Sequence, residues 1–297
     1  MIGIKCGIDN RVGFCMSISK SVQMPPLLYG TAWKKDLTCD LVIKAIEHGF
    51  QGIDTACQPR HYHEAGVGEA LEFLRLKGIQ REDLFIQTKY TPVAGQDLAN
   101  LPYDRDSSLT EQVMTSIRVS LKNLKTSYVD ALILHSPLST HQETMEVWRV
   151  MELICAKGDA KTLGISNCYS LTALKSIAKE AKIKLSILQN RFYRESGHDK
   201  AIREWCQENG VVYQGFWILT ANPQLVNHQE TKQLAMFYKK SCEQIFYRFL
   251  TQIGIVPLIG TTSLVHMRED LAIFDFALTA DDLKIMGNLL NEYKQSF

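Results

Sequence analysis

Eight short apolar segments, each the length of a buried strand, recur along this chain and alternate with stretches of helical periodicity. They are LLYGTA (27–32), QGIDTA (51–56), LFIQTKY (84–90), YVDALILH (128–135), AKTLGIS (160–166), LSILQN (185–190), VVYQGF (211–216) and GIVPLIG, from Gly254 to Gly260. Between them, apolar residues return every three or four positions over 37–48, 64–77, 109–124, 141–157, 170–181, 199–208 and 231–252, with a last pattern over 279–292. Such strands have no polar face to give to water, so they predict a parallel sheet covered by helices. Eight strand-helix units predict an α/β fold, a closed parallel eight-stranded (β/α)8 or TIM barrel. An open doubly wound sheet would use fewer strands and a glycine-rich first turn, and no GxGxxG follows any segment. The punctuation agrees: Ser170 opens one helix, Gly49, Gly158 and Gly210 close others, and Thr279-x-x-Asp282 resembles a capping box with Asp in place of Glu. No linker or internal repeat interrupts the pattern, so residues 24–297 read as a single barrel domain. Residues 1–23 read as an N-terminal extension, with a hairpin over the barrel bottom favoured by the apolar pieces around Ile4 and Phe14.

Composition removes several classes of partner. Lys+Arg 33 against Asp+Glu 32 leaves a formal charge of +1 without long like-charge blocks, so no basic stripe exists to neutralise phosphates and no nucleic-acid partner is expected. The apolar runs are far shorter than the roughly 20 residues that cross a bilayer, and MIGIKCGIDNRVG lacks a continuous apolar core for export. A cytoplasmic protein without membrane partners is the expectation. The eight cysteines are scattered, with no pair two residues apart, which indicates neither a disulfide framework nor a cysteine zinc site.

Barrels of this kind place chemistry at the C-terminal ends of their strands. Asp54, Lys89 and His135 stand at the ends of the second, third and fourth segments, and the loop after the second carries Tyr62. Singly, each has an ordinary explanation as a cap, a solvated cation or a satisfied core histidine. Jointly they would converge in one barrel mouth, which is costly unless a function retains them. A lysine ammonium beside a phenol stabilises phenolate, an aspartate holds that lysine, and a histidine can hydrogen-bond a carbonyl oxygen. The set suits protonation of an oxygen while a hydride arrives at carbon, provided a hydride carrier lies alongside. Lys89 as a Schiff-base nucleophile in a barrel aldolase or isomerase is the alternative that the fold alone leaves open. Cys57, His61 and His63 lack a fourth ligand and a standard spacing, so no metal site is expected.

GFQGIDTA…HYHEAGVGEAL, LFIQTKY, YVDALILHSP, LGISN, LQN and IVPLIGTTS…REDLAIFDFALT, in that order across about residues 24–290, resemble the aldo-keto reductase superfamily. The resemblance implies an NAD(P)H-dependent oxidoreductase that reduces aldehydes or ketones, with Asp54, Tyr62, Lys89 and His135 as its catalytic tetrad and Tyr62 as the general acid. It implies a cofactor held at the barrel mouth: Ser166, Asn167 and Gln189 on the nicotinamide carboxamide, Phe216 stacked on its ring, and Gly30, Thr31, Asp54 and Leu219 lining it. A small-molecule carbonyl substrate follows, met by Trp33, His63, Tyr90, Trp217 and the 93–108 loop. A nicotinamide-binding regulatory or redox-sensing subunit with little turnover is the alternative. The oligomeric state is not indicated.

Two departures from the family pattern bear on these roles. The family places its tyrosine five residues after the aspartate, but position 59 here is proline and DTACQPRHYHEAGVG carries two inserted residues. Anchored on Glu64, the tyrosine column falls on His61, while Tyr62 is the only phenol in the loop and the preferred acid. At the adenosine end, matching Glu269 and Asp270 to the family's Glu-Asn puts Gly260 and Thr261 where a Lys-Ser pair holds the 2′-phosphate, and His266 where an arginine does. Losing permanent cations weakens selection for that phosphate. Arg268 and the backbone of Gly260-Thr261-Thr262 are expected to compensate, leaving NADPH as the expected cofactor and NADH as the alternative. The last helical pattern runs almost to Phe297, so a mouth without a covering tail, broad substrate tolerance and a high KM are expected.

Overall fold

A computed structural model describes residues 24–292; the extension over 1–23, with its expected hairpin, and residues 293–297 lie outside the described residues. Eight strands follow chain order around a closed barrel: β1 Leu28–Gly30, β2 Gly52–Asp54, β3 Phe85–Tyr90, β4 Val129–Leu134, β5 Ala160–Ser166, β6 Leu185–Arg191, β7 Val212–Phe216 and β8 Ile255–Ile259. Every neighbouring pair is parallel, and β8 closes on β1 through Leu28↔Leu258 and Tyr29↔Ile259. Each strand forms inside its expected segment, β6 alone running one residue further.

Helices α1 Thr38–His48, α2 Glu64–Leu76, α3 Leu109–Asn123, α4 His141–Lys157, α5 Leu171–Glu180 and α6 Lys200–Glu208 match their expected patterns. Gly49 (φ 116°) and Gly158 (φ 87°) take the left-handed conformation that ends α1 and α4, as a residue without Cβ readily does. Two single turns, α7 Ile218–Ala221 and α8 Pro223–Val226, follow β7 and were not expected. The single helix expected over 231–252 is two, α9 Gln229–Tyr238 and α10 Cys242–Gln252. Lys239 turns left-handed (φ 53°), and Ser241 restarts the chain with a capping box: its hydroxyl accepts from the Gln244 N–H at 3.2 Å while the Gln244 side chain accepts from the Ser241 N–H at 3.1 Å. Helix α11 Leu264–Leu271, capped by Ser263, follows the Gly260-Thr261-Thr262 run outside the periodic stretches, and α12 Ala280–Glu292 starts at the expected Thr279–Asp282 box.

Strand alternation decides what faces the barrel axis. Leu28, Phe85, Ala131, Ile133, Ile187, Val212 and Val256 pack with Met24 in the interior, while Tyr29, Ile53, Ile86, Leu132, Leu188 and Tyr213 point outward into the larger core beneath the helices. Two residues beyond Phe85, Gln87 points inward, and two further on so does Lys89; by the same phase His135 follows Ala131 and Ile133. Above the apolar layer, Gln87 and Gln214 exchange amide hydrogen bonds of 2.9 and 2.8 Å, and the Gln189 amide donates to the Gln214 oxygen at 2.8 Å. This hydrogen-bonded polar layer is the floor on which the charged residues stand.

Candidate active site

Asp54 ends β2 and is buried; its Oδ1 accepts from Lys89 Nζ at 2.6 Å, Gln87 Nε2 at 2.6 Å and Gln189 Nε2 at 3.0 Å. Lys89 is 1% exposed and also donates to the Thr55 carbonyl oxygen at 2.9 Å, so ammonium and carboxylate satisfy one another in a place where either alone would be costly.

The inserted residues of the β2–α2 loop are taken up in a turn closed on Gln58, whose carbonyl oxygen accepts from the N–H groups of both His61 (3.1 Å) and Tyr62 (3.0 Å). The turn puts Tyr62 against the Asp54–Lys89 pair, with Lys89 Nζ 4.9 Å from the centroid of its ring. His61 instead packs on Trp33 at the lip, ring centroids 4.0 Å apart. Just after the loop, buried Glu64 anchors α2: its carboxylate accepts from Thr88 Oγ1 at 2.6 Å and from Ser120 Oγ at 2.9 Å.

Burial pushes the Tyr62 phenol above its ordinary pKa of 10.0, with Lys89 pulling the other way and Asp54 adding to the rise. The phenol therefore holds its proton at neutral pH, ready to donate, and the phenolate formed on donation would sit beside the ammonium. His135, just past β4, donates its backbone N–H to the Tyr90 carbonyl oxygen at 2.9 Å, and its Nδ1 lies 2.7 Å from Thr91 Oγ1. Burial first, then the charges of Lys89 and His61, press its pKa well below 6.5, so the ring is neutral. This contact allows the Thr91 hydroxyl to donate to Nδ1, the tautomer that puts the ring proton on Nε2, where a ligand oxygen can accept it.

These groups open into a cleft of about 980 Å³ at the C-terminal ends of the strands. Gly30, its register partner Asp54, Tyr62 and His135 line it, with Ser166, Asn167, Gln189 and Phe216, and with Leu219, Gly260, Thr261, His266, Glu269 and Asp270. Trp33 and Trp217 line it and remain 57% and 50% exposed. The Ser166 hydroxyl donates to the Gln189 carbonyl oxygen at 2.7 Å, and the Asn167 amide to that of His135 at 2.9 Å, tying the wall to His135.

Six expected residues do not line the cleft: Lys89, which lies buried beneath Tyr62, and five others. Tyr90 is out of phase with Lys89 on β3, so it points into the outer core, against Tyr103 and the Gln112 side chain. Thr31 likewise points away and donates its hydroxyl to the Asp54 carbonyl oxygen. His63 is exposed in front of α2, and Thr262 is exposed before α11. On α11, His266, Glu269 and Asp270 share one face by their spacing of three and four, which leaves Arg268 on another face in solvent. Conversely, sequence reasoning missed Lys34, Gln58 and Thr91, and from α10 and its cap Ser241, Glu243 and Tyr247. The Ser241-x-x-Gln244 capping box could have revealed the start of α10, but nothing local could have aimed its first turn at the cleft.

The model of the Aldo/keto reductase family matches residues 27–231. Among curated proteins, the chain is 33% identical over 249 residues to the oxidoreductase YtbE of Bacillus subtilis, covering 84% of this chain and 81% of that protein. It is 28% identical over 302 residues to the NADPH-dependent codeinone reductase 1-4 of Papaver somniferum, covering 92% and 88%. Among solved structures, an aldo/keto reductase of Brucella melitensis superposes with a TM-score of 0.77 at 25% identity, over 90% of this chain and 96% of that one.

Proposed function

This chain is an oxidoreductase of the aldo/keto reductase family, and from that premise we propose that it reduces the carbonyl group of a small aldehyde or ketone to an alcohol, with Tyr62 as the proton donor. The observation that carries the reading is the buried Asp54–Lys89 pair set beneath one phenol and beside one neutral imidazole, open to a cleft large enough for a dinucleotide and a small substrate.

The donor set fits a reduced nicotinamide dinucleotide. One buried carboxyl, Asp270, borders the cleft with no hydrogen bond to it from the described residues, as a site for a polar ligand would leave it. When bound, the cofactor supplies a hydride to the carbonyl carbon. Ser166, Asn167 and Gln189 hold the carboxamide, Phe216 presents a ring face, and Gly30, Asp54, Leu219, Gly260 and Thr261 border the rest. His135 Nε2 hydrogen-bonds the substrate oxygen and orients it. Tyr62 gives that oxygen its hydroxyl proton, and Lys89 stabilises the phenolate left behind while Asp54 fixes the ammonium. Trp33 and Trp217 offer apolar surface to the substrate. NADPH and NADH carry the same reacting ring, so the chemistry serves either; they differ at the 2′ position of the adenosine ribose.

The test is the initial rate of cofactor oxidation with a reactive aromatic aldehyde, alongside cofactor binding. Binding with turnover supports the reductase; tight binding with no turnover across aldehydes and ketones contradicts it and leaves a sensor of nicotinamide redox state.

A further inference from the structure

The chain that leaves β3 begins with Thr91. Thr91 follows Phe85, Gln87 and Lys89 at steps of two, so it keeps their inward phase, and it lines the cleft while only 2% exposed. Its placement is fixed from several sides. The carbonyl oxygen accepts from the Tyr103 hydroxyl and from Gln96 Nε2 at 3.3 Å. The same Gln96 amide donates to the Cys57 carbonyl oxygen at 2.8 Å, which ties Thr91 to the loop that carries Tyr62. Its methyl group lies against Gly95, where an added Cβ would come within 2.9 Å of Thr91 Cγ2. That leaves the hydroxyl turned to His135, with Oγ1 2.7 Å from Nδ1 and no other hydrogen bond of that hydroxyl among the described residues.

The His135 backbone is held by the Tyr90 carbonyl oxygen and the Asn167 amide, but neither contact reaches the ring. Thr91 makes the only hydrogen bond to the imidazole among the described residues. The two groups can share it in two ways, because a hydroxyl has one proton to donate and a neutral imidazole has one N–H. With the ring proton on Nδ1, the hydroxyl would accept, and its own proton would find no acceptor among the described residues. With Nδ1 bare, the hydroxyl donates and both groups are satisfied.

We infer that Thr91 is a positioning residue for the reduction proposed above: its hydroxyl donates to His135 Nδ1, holds the ring in one orientation and keeps the ring proton on Nε2, facing the substrate oxygen. A ring turned over, or carrying its proton on Nδ1, would offer that oxygen a C–H or a lone pair in place of a donor. The kinetic role rests on the reductase reading, whereas the hydrogen bond belongs to the chain itself.

The test compares Thr91→Val, which deletes the hydroxyl and keeps the methyl group, with Thr91→Ser, which keeps the hydroxyl and deletes the methyl. Nitrogen-15 NMR of the cofactor-free full chain at about pH 8, above the ordinary histidine pKa, reads the tautomer directly, with the His135 signals assigned by their absence in His135→Asn. The expected wild-type spectrum has Nε2 protonated and Nδ1 bare, and Thr91→Ser keeps it. In Thr91→Val the Nδ1 signal moves as its hydrogen bond is lost and the other tautomer becomes populated. In reduction of an aromatic aldehyde, kcat falls by about tenfold or more in Thr91→Val and stays within a few-fold of wild type in Thr91→Ser, with cofactor Kd unchanged in both. A proton on Nδ1 in the wild type overturns the inference without recourse to either variant. So does an unchanged spectrum or an unchanged rate in Thr91→Val, or a greater loss of rate in Thr91→Ser, which would make the methyl group the part that matters; all of these leave the reductase reading intact. Absence of turnover in the wild type overturns the reductase reading and with it the kinetic role of Thr91, while the spectrum still decides whether the hydrogen bond exists.

Discussion

The rings of Tyr62 and His135 stand edge to face, centroids 6.2 Å apart at 68°, on the rim of the buried Asp54–Lys89 pair. In the proposed reaction this arrangement divides the labour: the cation lies under the phenol that would become an anion, and the imidazole beside it carries no charge that would compete for the substrate oxygen.

Lys89→Met separates the chemical and structural roles of that pair. It removes the cation that stabilises phenolate, so kcat should fall by about 10² or more. It also strands the Asp54 carboxylate, and loss of one partner of a buried pair costs about 3–5 kcal/mol. Adding Asp54→Asn should return much of the stability, by urea melts, and none of the activity. Full activity of Lys89→Met would remove the lysine from the mechanism and, with it, the case for phenolate.

Asp270 makes stability depend on pH in a definite direction. Its folded pKa of about 7 exceeds the ordinary 3.8, so between those values the folded chain holds a proton that the unfolded chain releases. Stability from this group is present below about pH 4 and lost as the pH rises toward about 7. Asp270→Asn, without cofactor, should therefore match the wild type best in acid and exceed it increasingly toward about pH 8. Denaturant midpoints across that range decide it; parallel curves for the two proteins would contradict the assignment.

Much of this molecule was legible in the sequence, and what was missed has a common cause. The strands were readable because burial on both faces writes a continuous apolar run, and Asp54, Lys89 and His135 because each interrupts or ends such a run. The amide layer of Gln87, Gln189 and Gln214 was read only in part, since an inward glutamine looks like any other until the register of three strands is known. Tyr90 was misplaced for a related reason: neighbours on a strand face opposite ways, so adjacency to Lys89 argued against the cleft rather than for it. The break at Lys239 carries no glycine or proline to announce it, and only Ser241 and Gln244 mark where the next helix starts. The carboxyls of Glu243 and Asp270 come from separate helices, and their meeting is a property of tertiary packing alone.

Gly68 reports how closely α2 approaches α3. A Cβ there would lie 1.9 Å from the Asn123 backbone oxygen, so Gly68→Ala must displace α2. A loss of about 1–3 kcal/mol or more is expected, and because Glu64 on the same helix anchors the segment just after Tyr62, kcat should fall with it. Gly287→Ala in α12 is the control: its Cβ meets nothing within 4 Å, and helix propensity predicts a gain of up to about 1 kcal/mol. Equal effects of the two substitutions in thermal melts would contradict the packing described for α2.

The central claim is that the Tyr62 hydroxyl delivers the proton, and Tyr62→Phe tests it most directly because it deletes one oxygen and leaves the ring, the cleft wall and the Asp54–Lys89 pair in place. Single-turnover reduction of an aromatic aldehyde, measured with the dissociation constant of the cofactor in the same protein, separates chemistry from binding. The account predicts a fall in the rate by about 10² or more with cofactor affinity within a few-fold of wild type. Retention of most of the rate in Tyr62→Phe, with the loss appearing in His61→Phe instead, would contradict it and make the imidazole at the lip the acid.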